Sequence, residues 1–357
     1  MASTGTMRAR AVIYGLAAGL LFGLATPVSK LLLSSLDPYT LAGLLYLGAA
    51  IASAPQAFAR RATDFDIRAL RKNWLKLVGI VAFGGVLGPL LLLAGLSHSA
   101  SASVSIWLNL ELVATAALGA IFFKEHLTVT GAIGVGLTVL SGVVVSLGED
   151  AAGLGAGVFI ALACVSWGID NHLTAIVDGV SSKATTFLKG LIGGAFNLAL
   201  GVVLLGRADH AWLDVAAALA LGMASYGISI SLYIASSQAL GATRGQILFS
   251  VSPFWGIAGA AILLSEAITG RIVASFLLLA AGIALSAIKG HGHAHRHEAT
   301  RHIHLHDHLD GHHTHVHEGE PARSAHSHMH AHEALEHEHD HFPDLHHRHD
   351  HGPAGRE

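Results

Sequence analysis

The sequence predicts an all-α polytopic membrane protein: ten transmembrane helices as two inverted five-helix repeats, with a disordered histidine-rich tail behind them. Three observations predict it. The chain is 52% hydrophobic and only 13% charged, whereas soluble domains carry about a quarter charged residues. Its apolar residues gather in helix-length runs separated by short connections. One stretch also recurs: residues 101–128, SASVSIWLNLELVATAALGAIFFKEHLT, are echoed by residues 242–269, ATRGQILFSVSPFWGIAGAAILLSEAIT, at a constant shift of 141 residues.

That shift carries Glu125 onto Glu266 and Thr128 onto Thr269, with Ile106/Ile247, Ala117/Ala258, Ala120/Ala261 and Ile121/Ile262 also identical. Apolar coincidences are common in such sequences, so the paired glutamates and threonines carry the signal of a duplication.

The composition joins two unlike parts. Residues 1–290 hold 12 acids and 16 bases, while residues 291–357 hold the other 12 acids, 5 arginines and 23 of the 27 histidines. The first part belongs in a bilayer. The second has too few bulky apolar residues to bury a core, so disorder is expected of it. The single cysteine, Cys164, excludes an internal disulfide and a cysteine-based zinc site.

Residues 1–10 form a short polar lead with Arg8 and Arg10. The apolar run at 11–34 exceeds a signal-peptide core of roughly 7–15 residues and reads as a first transmembrane helix. Further runs begin near Pro38, Trp74, Ser101, Val129, Leu154, Lys183, Ala211, Thr243 and Ile268. Each is long enough for a hydrocarbon core of roughly 30 Å. Short connections imply antiparallel neighbours. Gly15, Gly19 and Gly23 form a GxxxGxxxG stripe that lets a neighbouring backbone approach, and Gly190, Gly193, Gly194 and Gly201 do the same in the seventh run.

Basic residues orient the chain. Arg8 and Arg10 precede the first span, and Arg60, Arg61, Arg68, Arg71, Lys72 and Lys76 follow the second, so both segments belong inside. The acidic Glu149–Asp150 connection then falls outside. Lys183 and Arg244 agree with this orientation, while Arg207 and Arg271 oppose it. Ten spans return the C-terminus to the cytoplasm of a cytoplasmic-membrane protein. Five spans per copy is an odd number, so the copies enter from opposite sides, a layout many secondary transporters use for alternating access.

Ionisable groups at membrane depth cost at least about 2.5–3.5 kcal/mol on insertion scales, which marks each as a functional candidate. Glu111 lies ten residues beyond Ser101, about 15 Å along a helix, close to Trp107 and Asn109. It is read either as a substrate or proton contact, or as a neutral acid hydrogen-bonded between helices. Its counterpart by the shift is Ser252, followed by Pro253 and Trp255. Pro253 removes a backbone donor and can open a carbonyl toward a cavity. Asp170, Asn171 and His172 are consecutive, so they point about 100° apart and at most two of them face one cavity. Asp170 and His172 are read either as a proton relay or cation site, or as polar groups at the helix end. Lys30 either snorkels to the interface or pairs with an anionic substrate group. Gln246, Asn197 and Tyr226 complete the cavity candidates.

These residues resemble a family. NLELVATAALGAIFFKE, ending at Glu125, is similar to the fourth-helix signature of EamA-type transporters of the drug/metabolite transporter superfamily, where a glutamate–proline pair lies about fourteen residues before a closing glutamate. Here the fourth helix keeps Glu111 and Glu125 with Leu112 at the proline position, and the ninth keeps Pro253 and Glu266 with Ser252 at the acid. Phe22–Gly23 with Pro27 and Lys30, and Trp167–Gly168 with Asn171, resemble the first-helix motif of each half. The resemblance implies EamA-type repeats at 11–147 and 153–288. It also implies a central cavity, cytoplasmic termini, and movement of small metabolites, amino acids or drugs, often as efflux. Lipid and a small-molecule or ion substrate are the expected partners. Proton coupling and a homodimer are candidates, and no nucleic acid is expected.

The tail at 289–357 carries histidine at alternating positions. They are His291, His293, His295, His297, His302, His304, His306, His308, His312, His313, His315 and His317, then His326, His328, His330, His332, His337, His339, His341, His346, His347, His349 and His351. Neutral imidazole suits zinc, nickel, cobalt and copper, and Asp307, Glu336 and Asp340 can add oxygen ligands. The tail is therefore expected to bind divalent transition metals, with no cofactor required elsewhere. Three functions follow: metabolite or drug export with a metal-binding tail; export of nickel, cobalt or zinc; or a membrane-anchored metal buffer or sensor. An enzyme is not expected, since no nucleophile–base constellation or cofactor fingerprint stands out.

Overall fold

The computed structural model describes residues 2–58, 67–123, 129–177, 180, 182–206, 210–240, 248–286, 293–297, 300–306, 326–332 and 335–339. The described residues of the membrane part are helices joined by short turns and connections. Its first half comprises α1 (Ala2–Gly23), α2 (Ala25–Leu32), α3 (Pro38–Phe58), α4 (Ile67–Lys72), α5 (Trp74–Gly79), a π-helical segment (Ile80–Leu87), α6 (Gly88–His98), α7 (Ser101–Trp107), α8 (Leu110–Phe123) and α9 (Val129–Ser146). The second comprises α10 (Ala151–Ala175), α11 (Ser182–Leu205), α12 (Trp212–Gly222), a second π-helical segment (Met223–Ile228), α13 (Ser229–Leu240), α14 (Ser252–Leu264) and α15 (Gly270–Ser286). Among the described residues, seven helices are long and apolar enough to cross a membrane: Ala9–Leu32, Trp74–Ser97, Ser101–Ile121, Val129–Ser146, Ala151–Thr174, Lys183–Leu205 and Trp212–Ser236. Large apolar side chains such as Ile13, Trp74, Ile121, Val203, Ile262 and Leu277 face outward, which suits a hydrocarbon solvent. The chain is a multi-pass membrane protein.

Local chemistry sets the helix ends. The Asp37 carboxylate accepts the N–H groups of Tyr39 and Thr40 at 2.9 and 3.0 Å, and Pro38 needs no donor in the first turn of α3. Asp150 caps α10 by accepting the N–H of Gly153 at 2.8 Å. Interior breaks have equally local causes. Pro27 offers no N–H to the Gly23 carbonyl, and the first helix breaks at Leu24. Pro253 deprives the Phe249 carbonyl in the same way, and α14 starts afresh at Ser252. In the fourth apolar run, Asn109 turns its amide back on the carbonyls of Ser105 and Ile106, competing with the backbone ladder, and the run splits into α7 and α8.

The first helix begins at Ala2, and its membrane-length apolar part begins at Ala9. β1 (His293–His297) pairs antiparallel with β4 (Leu335–His339), and β2 (Thr300–His306) with β3 (His326–His332). Alternation of histidine with other residues has the two-residue period of a strand.

The helices pack in a pattern that survives exchange of the two halves. α3 lies on α11, and α9 on α15. The crossing of α1 with α13 has its counterpart in that of α10 with α6. The contacts of α1 and α2 with α14 answer those of α10 with α8, and α3 meets the second π segment as α11 meets the first. Small residues permit the close approaches. Gly43 and Gly194 bring α3 and α11 into backbone contact, and the Gly15–Gly19–Gly23 stripe lies against residues 248–255. Ser225 and Ser229 donate to the carbonyls of Leu21 and Ala18 at 2.7 and 2.9 Å, tying the eighth crossing to α1. The tightest core, around Leu93, Leu96, Val104, Trp107 and Ile160, sits where α6, α7 and α10 meet.

Candidate functional site

The first π segment supplies the foundation. A π turn shifts backbone bonding from i−4 to i−5, which leaves carbonyls to be satisfied from outside the helix. The Tyr46 hydroxyl donates to the Gly84 carbonyl at 2.6 Å, and the Asn197 amide donates to the Gly85 carbonyl at 3.0 Å. Side chains from α3 and α11 therefore clamp the segment. Gly84 is also where the Asp170 carboxyl rests, and any side chain at that position would collide with it.

Asp170 is 3% exposed, and its Oδ2 receives the ammonium of Lys189 at 2.7 Å. The next residue, Asn171, turns toward α8 and donates to Glu111 Oε1 at 2.9 Å. His172 turns back on its own helix, its Nδ1 lying 2.8 Å from the Gly168 carbonyl. The three polar side chains thus diverge as helical geometry requires. Glu111, Asp170 and His172 do not converge on one point. Instead, two pairs stand side by side on α10: Glu111–Asn171 joins α8 of one half to α10 of the other, and Asp170–Lys189 joins α10 to α11. Glu111, Asp170 and Lys189 also interact electrostatically.

Aromatic rings flank these groups. Tyr46 and Tyr226 lie with centroids 5.8 Å apart, Tyr226 and Phe22 at 5.9 Å, Phe22 and Phe249 at 5.2 Å, and Phe249 and Tyr233 at 5.0 Å. This row crosses both halves near the breaks in the first and ninth runs.

The remaining candidates separate. Trp107 is buried, and its indole N–H donates to the Gly142 carbonyl and to Ser146 Oγ at 3.2 and 3.1 Å, so it is a packing residue between α7 and α9. Asn109 is occupied by its own helix. Lys30 donates to the carbonyls of Leu96 and Ser97 at 2.6 and 3.2 Å, capping the end of α6. It also lines an open depression of about 460 Å³ with Ser97, His98, Ser99, Glu149 and Asp150. Pro253 is buried, while Trp255 packs over Gly23 and is 42% exposed. Glu266 closes α14 and accepts the N–H groups of Ser101 and Ala102. Glu125, Gln246, His291, His341, the histidines at 308–317 and those at 346–351 lie outside the described residues. Sequence reasoning missed Lys189 and Tyr46. Lys189 had a signal, as an ionisable residue seven positions inside an apolar run. Tyr46 had none.

Comparison with known proteins gives a consistent picture. The model of the EamA-like transporter family matches twice, at residues 9–147 and 155–288. An uncharacterized transporter of Methanothermobacter thermautotrophicus is 26% identical over 271 residues, covering 70% of this chain and 78% of its own length. A solved chain, described only as "Crystal structure of protein", superposes with a TM-score of 0.57 at 17% identity, over 78% of this chain and 97% of that one.

Proposed function

The chain belongs to the EamA-like transporter family, and from that premise we propose that it is a secondary transporter that exports small metabolites, amino acids or drugs. It works by alternating access between two inverted five-helix halves in the cytoplasmic membrane. Both termini are cytoplasmic, and the histidine-rich tail holds divalent transition metals. The observation that carries the reading is the packing pattern in which the largest crossings have counterparts on exchange of the halves. Alternating access between repeats requires that equivalence.

The cargo meets the row of rings beside Glu111. Aromatic faces and a carboxylate together favour an amine-bearing organic molecule, through cation–π attraction and charge pairing. The Asp170–Lys189 pair of the second half packs against Gly84 and Gly85 of the first and is the natural seat of proton coupling. The test is counterflow by full-length protein in proteoliposomes, with amino acids, organic amines and metal salts as trial cargoes. Accelerated exchange of an organic amine supports the reading. Exchange of none of them, or of metal ions alone, rejects it.

A further inference from the structure

The two π segments are copies of one backbone irregularity. In the first, the Gly88 N–H reaches back five residues to the Phe83 carbonyl, and in the second the Ser229 N–H reaches back five to Ala224. The offset between them is the same 141 residues that relates 101–128 to 242–269. One difference decides how each is held. Gly88 is followed by Pro89, whereas Ser229 is followed by Ile230.

Pro89 has no N–H. It cannot serve the Gly85 carbonyl in an α turn or the Gly84 carbonyl in a π turn, and the Gly88 N–H is given to Phe83. Side chains of other helices reach both glycine oxygens instead, Asn197 at Gly85 and Tyr46 at Gly84. Tyr46 does more. Its ring stands 5.8 Å from that of Tyr226, which lies inside the second π segment. One side chain of α3 thus touches both irregular turns, the first through its hydroxyl and the second through its ring.

The two ends of that link lead to different places. Tyr226 continues into the row of Phe22, Phe249 and Tyr233. Gly84 carries the Asp170 carboxyl. Among the described residues, Lys189 from α11, Glu111 from α8 and Tyr46 from α3 act on that carboxyl. The π segment itself has no titratable side chain, and Lys76 of α5 reaches the Ile176 carbonyl instead.

We propose that Tyr46 is a positioning residue that couples cargo to the Asp170–Lys189 pair, its ring following the occupant of the aromatic row and its hydroxyl setting the π turn beneath Asp170. A cargo that displaces the ring draws the hydroxyl off Gly84, and an unmet carbonyl is costly inside a membrane. The Gly88 N–H can replace it. That exchange turns the π turn into an α turn and rotates Gly84 by about 100° against the residues beyond it. Asp170 then loses its seat. Its carboxylate takes a proton from water and releases the Lys189 ammonium, and the reverse step returns the proton as the pair closes. The inference rests on the reading of the chain as a proton-coupled exporter of organic amines, and adds the residue that transmits the coupling.

The test compares two activities of full-length protein in proteoliposomes, with labelled tryptamine, tyramine and phenylalanine as trial cargoes. One is exchange at equal pH on both sides. The other is accumulation driven by a pH gradient, imposed in each direction. Tyr46→Phe keeps the ring and removes the bond to Gly84, so the ratio of accumulation to exchange should fall about two- to tenfold, the weight of one hydrogen bond. Tyr226→Leu breaks the link at its other end and should lower the same ratio, and it decides the matter should Tyr46→Phe fail to reconstitute. An unchanged ratio, whether both activities persist or both fall alike, overturns the proposal and leaves the transport reading standing. Native protein that exchanges a cargo without accumulating it also overturns the proposal alone. Native protein that exchanges none of the three overturns the cargo reading and the proposal with it.

Discussion

The carboxylate of Glu266 caps the helix that begins at Ser101: its two oxygens accept the backbone N–H groups of Ser101 and Ala102 at 2.8 and 2.9 Å. Glu266 closes the ninth apolar run and Ser101 opens the fourth, so a residue of one half completes a helix of the other. Negative charge at a helix N-terminus is favoured by the unpaired donors and the macrodipole there. Glu266→Gln keeps the length of the side chain but turns one acceptor into a donor facing another donor. It should lower stability by about 1.5–3 kcal/mol, visible as a fall in the thermal midpoint of the detergent-solubilised protein. An unchanged midpoint would show that water serves those N–H groups as well.

Ser265, directly before Glu266, ends α14 in the left-handed region at φ 56° and ψ 29°. Both its N–H and that of Glu266 bond to the Ala260 carbonyl, a wrap that turns the chain toward α7. A side chain in this conformation costs roughly 1–2 kcal/mol. Ser265→Gly should therefore raise the thermal midpoint by the equivalent of about 1 kcal/mol. A fall would mean that the serine side chain contributes a contact worth more than the strain.

Lys189 and Asp170 form a buried pair, and removing one partner should be worse than removing both. Lys189→Met leaves a carboxylate desolvated beside Gly84, at a cost of about 3–5 kcal/mol. Adding Asp170→Asn removes the stranded charge and should recover most of that loss. Thermal midpoints of the two single variants and the double variant form the cycle. Strict additivity would show that the two groups do not act as a pair.

Glycines divide by what a methyl group would meet. At Gly23 it would run into the Ser252 carbonyl, so Gly23→Ala should cost about 1–3 kcal/mol through overpacking. At Gly136, inside α9, a methyl group meets nothing within 4 Å, and Gly136→Ala should add about 0.5–1 kcal/mol by stiffening the unfolded chain and favouring the helix. Paired thermal melts check the opposite signs. Similar shifts at both positions would remove the packing argument.

The apolar runs and the duplication were legible because hydrophobic length and an exact recurrence of Glu and Thr survive in one dimension. So was the divergence of Asp170, Asn171 and His172, which follows from helical period alone. The partners were not legible. Hydropathy does not say which face of a helix a residue takes, so Trp107 read as a cavity residue although its indole is locked onto Gly142 and Ser146. The break at Asn109 was hidden because the residue that causes it is polar but unremarkable in a sequence without a proline. Lys189 was passed over because its importance lies in Asp170, nineteen positions away on another helix.

The equivalent glycines of the two halves are not equally crowded. Gly23 presses on main-chain atoms of Ser252, whereas Gly168 stands further from the end of Leu118 and from the main chain of Ala114 and Thr115. One crossing is closer than its twin, so the molecule is lopsided about the likeness of its two repeats. Under the alternating access proposed above, a stroke that trades the roles of the halves would tighten the second crossing as it loosens the first.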